Sequence, residues 1–597
     1  MNRCDVVVWG GGCGGAAAAI QAARAGAKTI LFTPGVWLGG MVSAAGVCAP
    51  DGHELTCWQT GFWGAFLREL HRREPSGLDH NWVSCFGYTP TTAETILQQW
   101  VAAEDQLQWI PQAQLELVHS RADRITGLDV QALDGPCRVT AEVFIDGSDL
   151  GDLLATADQP FRWGWESKET WAEPSAPTRK RLQSEPFFRD QPIQSPTWVV
   201  MGQLNGDCPV ARDQHHLPPP FEASTVAFGL EKTITYGRLP GGLVMLNWPL
   251  HGNDWHHNLE RAISPNPTVR NDLAADMQRH SHTFLGALQT CSSNWIGPGQ
   301  AFPGTDTSLA LMPYWREGRR LVGRSTVTEN DLLPVQPGAR RGPLPTHSNG
   351  SCSSIAIGTY ANDHHYPGED WPLAPKSVHW GGRWTGTPFC IPFNALITDA
   401  FSNLIVAEKG FSVSHIANGA TRLQPLILNI GQAAGLAAAM AAQRAIPLAA
   451  LPLRDLQLAL IHNREAPAAV MPIWEWPIWH PHWAEAQERA LHHPDQLDSD
   501  GNLAGQLQTD LQRPEPDQAP RDRFERTHQG EFRRRADGSM ELLNGRSNIP
   551  LITLEPAIHT CLDSLEDRGS TLELRGVMNP WGPWLRVTGV TNHKRRS

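Results

Sequence analysis

Three glycines and two clusters of ionisable side chains carry the chemistry this sequence can offer. Gly10, Gly12 and Gly15 stand at the G-x-G-x-x-G spacing in "VVVWGGGCGG". That spacing supplies one glycine for a tight turn, one that lets backbone approach a diphosphate and one for close helix-to-strand packing, with the phosphate charge facing a helix N-terminus. Far downstream, Tyr314, Arg316, Arg319 and Arg320 fall within seven residues, and Asp363, His364 and His365 are consecutive. Arginine orients carboxylates and other anions through paired N–H donors, and an imidazole serves as acid or base near neutrality. Arg316 and Arg320, four apart, share a face if this stretch is helical, which allows a joint role on one anion. The same residues fit plainer roles: close arginines make an ion-paired helix face, and a His after an Asp makes a structural hydrogen-bonded pair. His364 is the weaker acid–base candidate of the two histidines.

The elements that must position the glycines are legible around them. "CDVVVWGGGCGGAAAAIQAARAGAKTILF" predicts a strand over Asp5–Trp9, a helix over Ala16–Ala25, a left-handed stop at Gly26 and a second strand over Thr29–Phe32, which is a βαβ unit. Such a unit usually ends its second strand in a carboxylate that accepts ribose hydroxyls. Here Thr33 stands at that place, and no Asp or Glu occurs between Asp5 and Asp51. Thr offers a neutral hydrogen bond in place of a charge-assisted one, and no neighbouring Arg suggests a 2′-phosphate.

Composition bounds the rest. A chain of 597 residues predicts two or three domains. The formal net charge of −12 argues against general binding to nucleic acid or to an anionic membrane and leaves a small molecule as the expected partner; oligomeric state is not specified. Eleven Cys without a C-x-x-C pair point to free thiols in a reducing compartment and offer no metal site. No signal peptide is visible, so a cytoplasmic location is expected. The apolar run Pro425–Ala442 is interrupted by Asn429 and Gln432 and is rich in Ala and Gly, which reads as a buried helix. "DWHHN", Asp254–Asn258, reads as a surface loop. The Trp- and Pro-rich Pro472–Trp483 reads as an extended strap packed on the body, with an aromatic ligand platform as the alternative.

"WLGGMVSAAGVCAPDG", residues 37–52, adds a different kind of information: it resembles the FAD-dependent oxidoreductases of the glutathione-reductase-like, two-dinucleotide-fold type. "VFIDGSDLGDLLATAD" at 143–158, "GWESKETWAEPSAP" at 164–177, "MPYWREGRRLVG" at 312–323, "SIAIGTYANDHHYPG" at 354–368 and the stretch from Asn403 to Ala441 resemble further blocks of that family, in order, to about residue 450. The resemblance implies FAD as cofactor, held by Gly10, Gly12, Gly15, Thr33, Gly39, Gly40, Met41, Asp146, Arg422, Gln432 and Ala433. It implies His365, Arg316 and Asp363 as catalytic residues, acting on a small organic substrate that exchanges a hydride equivalent with flavin N5. Thr33 and Cys13 depart from the family pattern, which usually has Glu and commonly Pro or Ser there.

The implied fold is α/β: a three-layer, Rossmann-like FAD domain from residues 1–165 and 385–450, with an α+β substrate domain, 166–384, inserted in it. A strap (451–491), a polar linker (492–526) and a small β-rich C-terminal domain (527–597) follow; a hairpin at Asp537–Gly538 and two later alternating runs predict the last, and the terminal "HKRRS" reads as a solvated tail. A nicotinamide-dependent dehydrogenase is disfavoured by Thr33 and by the lack of a second glycine fingerprint after a strand. A non-catalytic nucleotide-binding protein with a degenerate site stays open as the other alternative.

Overall fold

Val6–Trp9 (β1) is apolar and buried at every position, as a central parallel strand covered on both faces requires. The glycine turn follows, and α1, Cys13–Arg24, starts three residues earlier than the composition suggests, its Gly14 and Gly15 in close contact with the backbone at Ala407 and Gly10. Thr29–Phe32 forms β2. The helix Gly61–Arg73 (α2) and the strands Leu107–Ile110 (β3) and Val143–Asp146 (β4) come next, then the short helix Asp152–Thr156 (α3). An inserted antiparallel sheet is built from Val200–Leu204 (β5), Leu243–Leu246 (β6) and Ile296–Pro298 (β7), with β5 in the middle and the helix Pro267–Cys291 (α4) beside it. The chain then returns with Leu404–Val406 (β8), His415–Thr421 (α5) and Gln424–Arg444 (α6). In this computed structural model the described residues are 2–207, 216–249, 251–368, 371–504, 511–545, 547–565 and 568–595. Residues 505–510 of the expected linker and the last two of the expected tail lie outside them.

The core sheet has five parallel strands in the order β8-β4-β1-β2-β3. Its register sets Trp9 beside Phe32 and Asp146, and Asp146 beside Val406, so the loops after β1, β4 and β8 meet at one end. The α6 helix lies along α1 at backbone contact: a Cβ at Gly431 would collide with the carbonyl of Gly14, and one at Gly435 with that of Ala18. The helix is long and apolar enough to cross a membrane, yet 94% of its apolar window is buried in the protein. The two polar interruptions of its sequence have a local cause. Asn429 Oδ1 accepts from Trp63 N (3.0 Å) and Gln432 Oε1 from Phe62 N (2.8 Å), so this pair satisfies free amides in the first turn of α2.

Residues beyond 460 close over this body. Trp474 and Trp476 of the strap are almost fully buried, with the Trp474 ring against Trp58 and Trp380. Arg526–Arg534 (β9), Met540–Asn544 (β10), Ser547–Thr553 (β11), Arg568–Met578 (β12) and Leu585–Arg595 (β13) form a closed barrel in the order β9-β10-β11-β13-β12, with the helix Pro556–Asp563 (α7) between β11 and β12. Phe532, Leu542, Leu572, Leu574 and Leu585 fill its separate core. This is the connectivity of an OB-type barrel, which usually recognises ligands through its second and third strands and neighbouring loops. Here the end of the third strand and the loop before the fifth meet the body. Gly381 and Gly382 abut the carbonyls of Thr553 and Leu551, and Trp584 Nε1 reaches Asp79 Oδ2 at 3.2 Å. The Arg383 guanidinium lies 4.9 Å from the Trp584 ring centre.

Candidate cofactor cradle and active site

The turn between β1 and α1 is shaped by contacts that exclude side chains. Gly10 has φ +96°, and a Cβ there would lie 2.5 Å from Ser148 N. The loop containing Gly39, Gly40 and Met41 folds down on this turn. Gly39 N donates to Gly11 O (2.8 Å), Cys13 Sγ donates to Gly39 O (3.0 Å), a Cβ at Gly40 would sit 3.0 Å from Gly12 Cα, and Met41 is buried beneath. Beside the turn is a cavity of about 510 Å³, bordered among others by Gly10, Gly12, Thr33, Trp37, Ser148 and Met312.

Several expected contacts to this cavity are already committed within the chain. Thr33 Oγ1 donates to Gly35 O (2.8 Å) and accepts from Trp109 Nε1 (3.0 Å), so the hydroxyl proton is used at the cavity wall. Asp146 accepts from Ser148 N (2.9 Å), Ser148 Oγ (2.6 Å) and Leu154 N (3.0 Å), and burial pushes its carboxyl up to about 6. It shapes the turn that brings Ser148 and Asp149 to the cavity but does not border it. Gln432 and Ala433 border neither this cavity nor the next: Gln432 serves α2 and Ala433 is buried within α6.

One residue had no part in the sequence reading. The fully buried Glu408, two residues past β8, places Oε2 2.9 Å from Gly14 N in the first turn of α1. Its neighbour Lys409 is equally buried, pairs with Asp149 and lies 3.3 Å from Glu408 Oε1.

A second cavity, of about 210 Å³, holds the other candidate residues; Tyr314, Arg316, Tyr360, Asp363, His365 and Arg422 are among its walls. Among the described residues it shares no wall with the first. Residues 311–316 and 44–47 run between them, with Trp315 bordering one cavity and Arg316 the other. A continuous ionic chain runs through this wall by way of the enclosed Asp254. Arg316 Nη1 is 3.0 Å from Asp254 Oδ1, Asp254 Oδ2 is 3.0 Å from His365 Nδ1, His365 Nε2 is 3.0 Å from Asp363 Oδ2, and Arg422 Nη2 is 2.9 Å from that same oxygen. Burial works against the charge of both carboxylates. The facing Arg316 and His365 nevertheless hold Asp254 down to about 2, and His365 and Arg422 hold Asp363 well below the usual carboxylate range. Both partners of His365 are carboxylate oxygens, so each ring nitrogen faces an acceptor.

Two expectations are corrected here. Residues 312–319 are irregular and Arg320 begins a two-residue strand, so Arg316 and Arg320 share no helix face. Arg320 turns to Glu166 (2.9 Å) and Glu317 (3.0 Å), and Arg319 Nη1 donates to Leu150 O (2.9 Å). Neither takes part in the chain around His365. Asp254 is not on a surface loop: it bridges to Thr197 and is 1% exposed, while only the following His257 and Asn258 face solvent. No spacing rule could connect Asp254 to His365, since the link is made by tertiary packing. His364 is held by Tyr366 Oη (2.7 Å) and Ile416 O (2.9 Å), and burial lowers it to about 3.

The βαβ unit, the glycine cradle and the five-stranded parallel sheet define a dinucleotide-binding α/β protein. The model of the FAD dependent oxidoreductase family matches residues 5–460, so the chain belongs to that family, and FAD is its cofactor. No curated protein matches the sequence. Similar solved structures include CabE, an aromatic hydroxylase from angucycline biosynthesis (11% identity over 55% of this chain and 56% of that one, TM-score 0.29). BexE matches at 12% identity over 54% of each chain with a TM-score of 0.30. L-proline dehydrogenase from P. horikoshii matches at 14% over 24% of this chain and 22% of its own, with a TM-score of 0.15. The matched region thus spans just over half the length of CabE and BexE.

The cradle fits FAD in shape: side-chain-free backbone at Gly10 and Gly12 opens onto the larger cavity. Gly14 N, in the first turn of α1, donates to Glu408 and borders neither cavity.

Proposed function

We propose that this FAD-dependent oxidoreductase acts on a small organic anion in the cavity of Arg422, Asp363 and His365, with a hydride equivalent passing between substrate and a flavin ring that reaches past residues 44–47 and 311–316 from the cradle to that cavity. When bound, FAD supplies the two-electron acceptor or donor. Gly10, Gly12, Gly15, Thr33, Gly39, Gly40 and Met41 line or support its cradle. The single observation that supports the substrate class is the ionic chain from Arg316 to Arg422. Its two guanidiniums share the cavity wall with Lys376 and Arg383, and these four cationic groups outnumber the carboxyls of Asp51, Glu54 and Asp363, so the cavity carries net positive charge.

The residues divide the work by exposure. Asp363, whose side chain is 40% exposed, is the member that can meet substrate, and its carboxylate, held ionised, accepts a hydrogen bond that orients the substrate. His365 and Arg422 steady that carboxylate's charge. Arg316, 1% exposed, acts through Asp254 as a positioning residue.

Anaerobic mixing of FAD-loaded protein with a panel of small carboxylic acids, alcohols and amines, followed by flavin bleaching, tests this reading. Bleaching is expected with anions only, and Asp363→Asn is expected to slow it by about 10²-fold or more. Equal bleaching by neutral compounds, or an unchanged rate in Asp363→Asn with flavin retained, would overturn it.

A further inference from the structure

Large aromatic side chains are ordinarily drawn into contact, so an indole left open beside a cavity is informative. Trp384 is 55% exposed and borders the cavity that holds His365. It stands on the two-stranded ribbon of Val378–Trp380 and Arg383–Thr385, opposite His379, with ring centres 5.1 Å apart. The Gly381–Gly382 turn of that ribbon abuts the barrel carbonyls of Thr553 and Leu551, so the indole rests on a backed support. Two charged groups on the same wall are uncommitted. Among the described residues the side chains of Asp51 and Lys376 make no hydrogen bond or ion pair, and Lys376 Nζ lies 5.8 Å from the centre of the Tyr360 ring. Arg316, Arg383 and Arg422 instead donate to partners within the chain. Glu54 adds a carboxylate, one oxygen of which accepts from Gly52 N at 3.2 Å.

We propose that this cavity takes a sugar acid: a polyhydroxylated ring whose C–H face lies on Trp384, whose carboxylate pairs with Lys376 and whose hydroxyls donate to Asp51 and Glu54. The proposal rests on the small-anion reading above and narrows its substrate class. An aromatic acid would also cover the indole, but its ring would displace water from Asp51 and Glu54 and give them no donor in return, a cost that hydroxyl groups avoid. A short acyclic acid would satisfy Lys376 and leave the indole bare. Only a ring that is apolar on one face and hydroxylated at its rim matches both halves of the wall.

The test is titration of FAD-loaded protein with glucuronate, galacturonate, glucose, benzoate and lactate, read by calorimetry and by saturation-transfer NMR, for wild type, Trp384→Ala, Trp384→Tyr and Lys376→Gln. Far-UV circular dichroism checks that each variant is folded, and Lys376→Gln stands in if Trp384→Ala is not. One of the two uronates is expected to bind more tightly than glucose, benzoate or lactate. Trp384→Ala should weaken that uronate by about tenfold or more and leave lactate unchanged, and Trp384→Tyr should restore most of the loss. Lys376→Gln should bring the uronate down to the affinity of glucose. Benzoate or lactate binding as tightly as either uronate, or uronate affinity unchanged in Trp384→Ala, would overturn the sugar-acid assignment and leave the small-anion reading standing. Binding of none of the three kinds of anion, or glucose binding as tightly as the uronates, would overturn both.

Discussion

Asp254 and Asp363 grip opposite nitrogens of one imidazole, each at 3.0 Å from His365. Asp254 is enclosed with Arg316 and Asp363 opens to the cavity, so the ring joins an inner ion pair to an outer one.

The inner pair sets the first prediction. Asp254→Asn leaves Arg316 buried without its counter-charge, and breaking a buried pair from one side costs about 3–5 kcal/mol. Urea unfolding should show a loss of that size. The double variant Asp254→Asn, Arg316→Met should recover much of it, and a loss below about 0.5 kcal/mol in the single variant would contradict the assignment.

A pH dependence follows from Asp51 on the wall of the same cavity. Burial, helped by the charge of Glu54, pushes its carboxyl up to about 7, against an ordinary 3.8. It is neutral below that pH and charged above it, so an anionic ligand should bind with a flat dissociation constant in mild acid and progressively more weakly as pH rises through about 7. For stability the sign is the same: the folded form keeps a proton that the unfolded form has released, so this group's contribution declines as pH rises from about 4 to 7. Asp51→Asn should flatten the binding profile, measured by calorimetry between pH 5.5 and 8.5; an unchanged slope would remove Asp51 as its source.

Helix contact between α1 and α6 gives a third. The absent side chain at Gly435 lets α6 rest on the carbonyl of Ala18. Gly435→Val should destabilise the protein by about 1–3 kcal/mol or more through overpacking. A melting temperature within a degree of wild type would show that the helices separate freely.

The barrel gives the last. Trp584→Ala removes an indole that donates to the buried Asp79 and stacks under Arg383. A loss of about 3–5 kcal/mol is expected for a buried Trp. Hydrogen exchange should rise across β11 and the Gly381–Gly382 turn together, and a rise confined to the barrel would argue against docking through Trp584.

Local rules served the opening βαβ unit well, because its signals are short-range: an all-apolar strand, a glycine turn, an alanine-rich helix and Gly26 at its end. They served the site poorly. Arg316 and Arg320 suggested one face by spacing, whereas their partners at 254 and 166 set their directions. Asp254 stood in a short polar run with two His and read as loop. Glu408 was visible in "VAEKGF", but its meaning depends on the parallel pairing that brings the ends of β1, β4 and β8 together. The closed barrel was foreseen only as β-rich, since β11 and α7 gave no turn signal of the kind that marked Asp537–Gly538.

Arg383 belongs to two places at once: it lies against Trp584 and forms part of the rim of the cavity that holds His365. The order of synthesis therefore matters. A nascent chain can complete its parallel sheet once β8 has emerged, but the rim acquires its backing only when position 584 leaves the ribosome. Completion of the pocket thus waits on chain far beyond β8.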